Sequence, residues 1–437
     1  MSEQKKIKLL MVPSDSQGVG HYRSIWPAQS LQKHFDGEFE IEINLGPNIE
    51  NITYLKSFDI IHFHRHLGPH ESMEKLFSEL KSAGVTLIMD IDDFWEPPST
   101  HPLYQIVKTE KLGDKIIETM KASDYVTTTT EIFASHIRPY NKNVIIMPNA
   151  VDMNHPMWKG ELQENPTDKC RISWIGGSSH LNDLKLLEHS MSMLHNNTTL
   201  EDKFQIIMCG FDTRGHITEI RPDGSRTTRA ILPEETVWLK FEEIFTNKYS
   251  DTKKDKEYLK WLNKIKREEY PEQNTKNYIR RWTLPLTQYG KHYDYCDVCL
   301  APIDSIDVHT TDKGQIIKKV NLFNEVKSEL KIIEAGMKKK CLIAQDFGVY
   351  QQLIEDGVTG ILIKDNKDGW YKAMRKIIQE PEYREMLANN LHEYVKNKYE
   401  LKNVTARRAE SYKEIQNNKS SKIVLEGVLQ SSDTLAK

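Results

Sequence analysis

No stretch of the 437-residue chain approaches the roughly 18 uninterrupted apolar residues needed to span a bilayer. The polar start Met1-Ser2-Glu3-Gln4-Lys5-Lys6 also lacks the apolar segment of a signal peptide. The expected location is the cytoplasm. Cysteine is scarce: Cys170, Cys209, Cys296, Cys299 and Cys341 are an odd number spread through a long chain, which suits a reducing compartment better than a disulfide framework. Cys296 and Cys299 form a single CxxC, and without a second pair they read as strand residues before they read as a zinc or redox site. An excess of charge of one sign is missing as well. Sixty Lys and Arg against 63 Asp and Glu leave a net charge of -3, so no global field would hold nucleic acid or an anionic membrane. A polyanion would have to bind a local patch. There is no internal repeat.

What is present is a regular alternation. Ile7 to Val12 is a short apolar run followed by Pro13-Ser-Asp-Ser-Gln-Gly18 and a helical pattern from Gly20 to His34. Strand patterns at Phe58–Phe63, Val85–Met89, Tyr125–Thr128 and Val144–Met147 alternate with helical ones at Glu71–Ala83, Ile106–Lys121 and Ile132–Pro139. This rhythm predicts βαβ units around a parallel sheet. A polar, turn-rich segment runs to Asp168, and the pattern restarts with a strand at Arg171–Ile175, a Gly176-Gly177 turn, a helix at Leu181–Leu194 and a strand at Phe204–Met208. The fold class is α/β, with two Rossmann-like doubly wound domains. Residues 212–277 break the rhythm and read as an α+β insertion: a hairpin turning at Pro222-Asp-Gly224, then helices near Glu234–Phe245 and Lys256–Glu269. The insertion carries 14 basic and 13 acidic residues, so it is not a basic arm. The boundaries expected are 1–157 for the first domain, 158–400 for the second, and 401–437 for a helix returning to the first plus a mobile Ser/Lys-rich tail.

The segment from Asn321 to Gly336 carries the most chemistry. On one continuous helix from Asn324, Lys327, Lys331 and Glu334 would share a face. Free N–H groups of its first turn, with Lys327 and Ser328, would make a diphosphate cradle, and Glu334 could accept two ribose hydroxyls. A solvated charged face has the same spacing. Gly18 and Gly20 permit positive φ at the C-terminal end of the first strand, where open α/β sheets bind ligands, with Arg23 following on the helix. They could equally be turn glycines. Gly176, Gly177 and His180 repeat that arrangement after the second domain's first strand, and Asp183 could be a dipole-favoured acid. His62, His64 and His66 alternate on one strand near Asp90, Asp92 and Asp93. They read as a polar cleft wall, with His64 or Asp92 near an attacking hydroxyl, ahead of a hydrolytic zinc site.

Asp297-Val-Cys-Leu-Ala-Pro302, the Asn324–Gly336 segment, Lys340-Cys-Leu-Ile-Ala344 and Ile354–Ile363 occur in an order that resembles the donor-binding domain of family 4 glycosyltransferases of the GT-B type. Gly18-Val-Gly20-His-Tyr-Arg23 and Met147-Pro-Asn-Ala-Val-Asp152 resemble the same family. One departure concerns the family's two glutamates seven residues apart: Val326 stands where the first should be, and Asn324 and Lys327 take its place in a subset with Phe-Asn-x-x-Lys-Ser-x-Leu-Lys. The resemblance implies an N-terminal acceptor-binding domain and transfer of a sugar from a nucleotide diphosphate sugar to an acceptor hydroxyl, with retention and without a metal or other cofactor. Lys327, Arg23, His64 and Asp92 would be catalytic. Gly18, Gly20, Gly176, Gly177, His180, Asn324, Ser328, Lys331 and Glu334 would bind the donor. The acceptor would be a glycan, a small molecule or modified nucleic acid. The alternatives are a DNA-base glucosyltransferase clamped through Arg214, Arg221, Arg226 and Arg229, and a non-catalytic sugar-nucleotide or glycan-binding protein.

Overall fold

The computed structural model describes residues 5–159, 168–220, 225–232, 235–246, 277–310, 314–364 and 367–434, with side chains through residue 418. Six short strands make the first sheet: β1 (Ile7–Val12), β2 (Phe39–Ile43), β3 (Ile60–His64), β4 (Thr86–Asp90), β5 (Tyr125–Thr128) and β6 (Val144–Ile146). All pair in parallel, in the order β2-β1-β3-β4-β5-β6. β1, β3 and β4 are near-continuous apolar runs because helices cover both sheet faces.

The second half contains β7 (Cys170–Ile175), β8 (Phe204–Phe211), the hairpin β9 (His216–Ile220) and β10 (Arg226–Ala230), β11 (Tyr278–Trp282), β12 (Val298–Ala301), the hairpin β13 (Ile306–Thr310) and β14 (Ile316–Val320), β15 (Cys341–Gln345) and β16 (Ile361–Ile363). Its parallel sheet runs β11-β8-β7-β12-β15-β16. Strand order reverses between β1 and β3 in one sheet and between β7 and β12 in the other. Those are the positions where open α/β sheets leave a crevice.

The 212–277 segment is more integral than an insertion. Its helix Val237–Thr246 buries Trp238, Phe241 and Phe245 against Trp174 in the second core, and it lies on the crossover between the parallel neighbours β8 and β11. Only the β9–β10 hairpin departs from the βαβ rhythm among the described residues of this segment. The Pro222-Asp-Gly224 turn, the Lys256–Glu269 stretch, Arg221 and residues 160–167 lie outside the described residues. Arg214 pairs with Asp212 and Arg229 with Glu235, so these two arginines are matched by acids. Arg280 is buried against Glu242 and the Phe211 ring, and Arg281 stacks on Tyr295.

The last helix, Leu401–Thr434, returns to the first half and continues through the Ser/Lys-rich segment. Ala409, Tyr412 and Ile415 fill a core with Leu9, Met11, Ile60 and Ile88, and Thr405 donates a hydrogen bond to Ser30. The halves also exchange side chains. Tyr22 of the first half packs into the second core beside Trp158 and Tyr293, and Val326 of the second half is buried in the first core beside Phe94 and Leu10.

Candidate functional site

The loops after β4, β7 and β12 meet around a cavity of about 190 Å³, lined by Thr100 and His101 from the first half and by His180, Asp183, Asn324 and Lys327 from the second. The expected continuous helix from Asn324 is broken. A short helix, Leu322–Glu325, is followed by a turn, and a second helix runs Leu330–Met337. Asn321 caps the first piece by accepting from the Asn324 N–H at 3.2 Å. Gly348 lies against it in the left-handed region (φ 56°), where a Cβ would stand 2.3 Å from the Glu325 carbonyl oxygen, so no other residue fits. Lys327 and Ser328 therefore sit in the turn ahead of the longer helix, at the end where its N–H groups lack intrahelical partners.

Lys327 makes no ion pair among the described residues, and its Nζ lies 4.4 Å from the Phe323 ring centre. Its neighbours His101 and His180 are held below the ordinary histidine range, by burial first and by the Lys327 charge as well. Lys331 donates to the Ile175 carbonyl at the end of β7, beside Gly177, where a Cβ would meet nothing within 4 Å. Gly176 packs so closely on Trp174 that a Cβ would lie 2.5 Å from the indole. Lys327 lines the cavity and Lys331 lies at the end of β7, and among the described residues neither is bonded to a carboxylate.

Asp183, read from sequence as a mere dipole-favoured acid, is the organiser of this wall. Its Oδ2 bonds His180 Nδ1 at 2.7 Å, and its Oδ1 accepts from the Asp304 N–H at 2.7 Å and from Asn324 Nδ2 at 2.9 Å. Asn324 also donates to the Asp304 carbonyl, so its amide group braces the loop after β12 rather than offering its N–H groups to a ligand.

The first-half residues behave differently. Gly18–Gly20 open a helix that widens into a π-helical turn, His21–Ile25, before Trp26–His34. Neither glycine uses the positive φ that its residue type permits. Gly20 is required by proximity, because a Cβ would lie 1.8 Å from the Asp15 carbonyl oxygen, while Gly18 faces open space. Consecutive side chains on this turn point to different sides, which sends Tyr22 into the second half and Arg23 into the first. Arg23 is buried and does not reach the cavity. It grips both oxygens of Asp90, at 2.6 and 2.9 Å, and donates to the Met147 carbonyl and to Asn149 Oδ1. Burial alone would raise the Asp90 carboxyl; Arg23 overrides it and holds the group down at about 2.

His64 and Asp92 pair at 2.8 Å, and Arg65 adds a bond to the same Asp92 oxygen at 3.2 Å. Burial opposes ionisation of Asp92, but His64 and the arginines prevail and keep it far below the usual carboxylate range. The His64 Nδ1 is buried without a partner among the described residues. His62 bonds the Tyr412 hydroxyl and Thr127, and burial lowers it to about 3, so it is a neutral core group. Among the described residues no three His, Cys, Asp or Glu side chains converge as metal ligands would.

Glu334 is closed rather than open. Tyr22 donates to one carboxylate oxygen at 3.0 Å and Tyr293 to the other at 2.8 Å, and burial raises its pKa. The expectation that it presents both oxygens to a ribose is not met in this arrangement, where it ties the two halves together. Two further acids do the same: Glu325 bonds His136 at 3.0 Å, and Glu329 accepts from the Asn149 N–H at 2.8 Å. Glu329 is fully buried, and that burial pushes its carboxyl up to about 7.

No protein-family model matches the chain, and no curated protein matches its sequence. Solved structures do match in fold. A glycosyltransferase from Rickettsia africae shares 14% identity at a TM-score of 0.58, over 95% of this chain and 100% of that one. HepE from Anabaena, in complex with UDP, shares 11% at 0.56, over 94% and 100%. Sucrose-phosphate synthase from Thermosynechococcus elongatus shares 13% at 0.54, over 94% and 99%. The likeness is of architecture: two six-stranded parallel sheets with helices, as in GT-B glycosyltransferases. Among the described residues, no helix is long and apolar enough to cross a membrane.

Proposed function

We propose that this protein transfers a sugar from a nucleotide diphosphate sugar to an acceptor hydroxyl, with retention of configuration and without a metal. The observation that carries this reading is the pair Lys327 and Lys331, two ammonium groups with no bonded carboxylate among the described residues, near the open backbone at Gly177 and the Leu330–Met337 helix start. Departure of the diphosphate is the difficult step, and positive groups fixed where that charge develops lower its barrier. In this reading Lys327, Lys331 and Ser328 hold the diphosphate, with His180 on the same wall. The HepE complexes with UDP and with UDP-glucose support a uridine nucleotide as the first donor to test.

Arg23 is a positioning residue here: by holding Asp90 and the 147–149 link it sets the first-half wall. Asp92, kept anionic by its neighbours, is a weak base and orients an acceptor hydroxyl better than it removes a proton. Its His64 partner stands on the same side. The acids opposite Arg214 and Arg229 weigh against a DNA-clamping role.

Thermal melting with UDP, GDP, ADP and their sugar derivatives tests the reading. A ligand present at 100 times its dissociation constant stabilises by about 2.7 kcal/mol. One nucleotide should raise the melting temperature of the wild type and fail to do so for Lys327→Ala. If none does, the donor site is wrong; binding without transfer or hydrolysis in a coupled assay would leave a sugar-nucleotide-binding protein.

A further inference from the structure

Asp307 stands where two cavities meet. It lines the Lys327 cavity and also a larger chamber of about 450 Å³ toward the first half; Pro98, Asn321 and Phe323 are the other shared walls. Its carboxylate is half engaged. Oδ2 lies 2.5 Å from His309 Nε2, while Oδ1 is buried with no hydrogen-bond partner among the described residues. A buried carboxylate oxygen facing no donor is unfavourable, and a ligand hydroxyl would satisfy it.

The β13–β14 hairpin sets this geometry. Asp307 and His309 are two apart on β13, and Lys319 is the cross-strand partner of Asp307, so all three project from one face. The hairpin leans on the first half through Ser99, whose hydroxyl donates to the Val308 carbonyl at 3.2 Å. The first half supplies Tyr104, Lys108 and Asp114 to the chamber. Basic groups at 108, 111 and 319 are balanced by acids at 96, 114 and 307, which gives no field for a polyanion. Charged groups interrupt the walls, which leaves no apolar slot for an acyl chain. An uncharged polyhydroxyl ring matches such a mixture of aromatic faces, carboxylates and ammonium groups.

We infer that the β13–β14 hairpin is the acceptor-recognition element and that the acceptor is a neutral saccharide, with one hydroxyl donating to Asp307 Oδ1. The word acceptor rests on the transferase reading; the sugar site does not. Saturation-transfer NMR with neutral mono-, di- and trisaccharides, with and without UDP, tests the site without requiring turnover. At least one saccharide should give a signal, and Asp307→Ala and Asp307→Asn should each weaken its binding about tenfold or more, as loss of a hydrogen bond to a charged group does. Circular dichroism should match the wild type, and His309→Ala, which frees the other carboxylate oxygen, should alter affinity as well. Absence of saccharide binding, or binding indifferent to all three substitutions, overturns the inference. So does Asp307-dependent binding of duplex DNA or phosphatidylglycerol vesicles in its place. UDP stabilisation without a saccharide signal removes this site alone; a saccharide signal without any nucleotide effect supports the site and removes the transferase reading.

Discussion

The two walls of the cleft carry similar residues in opposite states. On the first-half wall Arg23, Asp90, His64 and Asp92 are buried and bonded to one another. On the second-half wall Lys327 and Lys331 have no bonded carboxylate among the described residues, and Asp183 holds the Asn324 and Asp304 loops beside Lys327. A charge already matched inside the fold shapes a site; a charge left facing a cavity can meet a ligand. By that criterion the proposed function makes the first wall the positioning one and the second the binding one.

The largest effect that would sharpen this contrast is on folding. Arg23→Ala leaves Asp90 buried without its partner and should lower stability by about 3–5 kcal/mol, read from urea unfolding. An unchanged midpoint with lost activity would place Arg23 among the binding groups. Lys327→Ala should do the reverse, reducing turnover about 10²–10³-fold while the melting temperature without ligand stays put. Unchanged turnover would remove Lys327 from the mechanism.

Glu329 gives a pH-dependent case. Its folded carboxyl titrates near 7, above the ordinary 4.5 of a glutamate, so the folded state holds a proton that the unfolded state has lost between those values. Stability should therefore fall as pH rises from about 5 to 8. Glu329→Gln removes that slope and should be more stable than the wild type at pH 8 by about 1–3 kcal/mol, with little difference at pH 5. Parallel pH–stability curves would refute the assignment. The smallest effect is expected at the bridge between the halves: Tyr22→Phe takes one donor from Glu334 and should cost about 1 kcal/mol in thermal melting.

Periodicity and glycine placement made most of the fold legible. β1 and the two Gly-bearing loops at the strand-order reversals were visible because a buried parallel strand is an unbroken apolar run ending in a turn. β2 was not read, because Phe39-Glu-Ile-Glu-Ile43 is a short edge strand exposed along one side. The β13–β14 hairpin was missed for a related reason: β14 is exposed along its whole length, so no buried face imprints a pattern. The crossover helix Val237–Thr246 was seen, but polar hairpin residues before it disguised its place in the core. Within the site, sequence spacing drew Lys327, Lys331 and Glu334 onto one helix, whereas Lys327 falls in the turn at 326–329 and only Lys331 and Glu334 share the Leu330–Met337 helix. Residue type could not show which charges find partners. That is why Arg23 and Glu334 looked available and why the bracing role of Asp183 was not seen.

The exchange of Tyr22 and Val326 makes the two lobes behave like interlocked hooks. Each carries a side chain rooted in the hydrocarbon interior of the other, so widening the gap brings a phenol ring and an isopropyl group into water together, a penalty that scales with roughly 25 cal/mol per Å² of apolar surface uncovered. Opening of this molecule is consequently opposed from both sides at once, by one anchored side chain from each lobe.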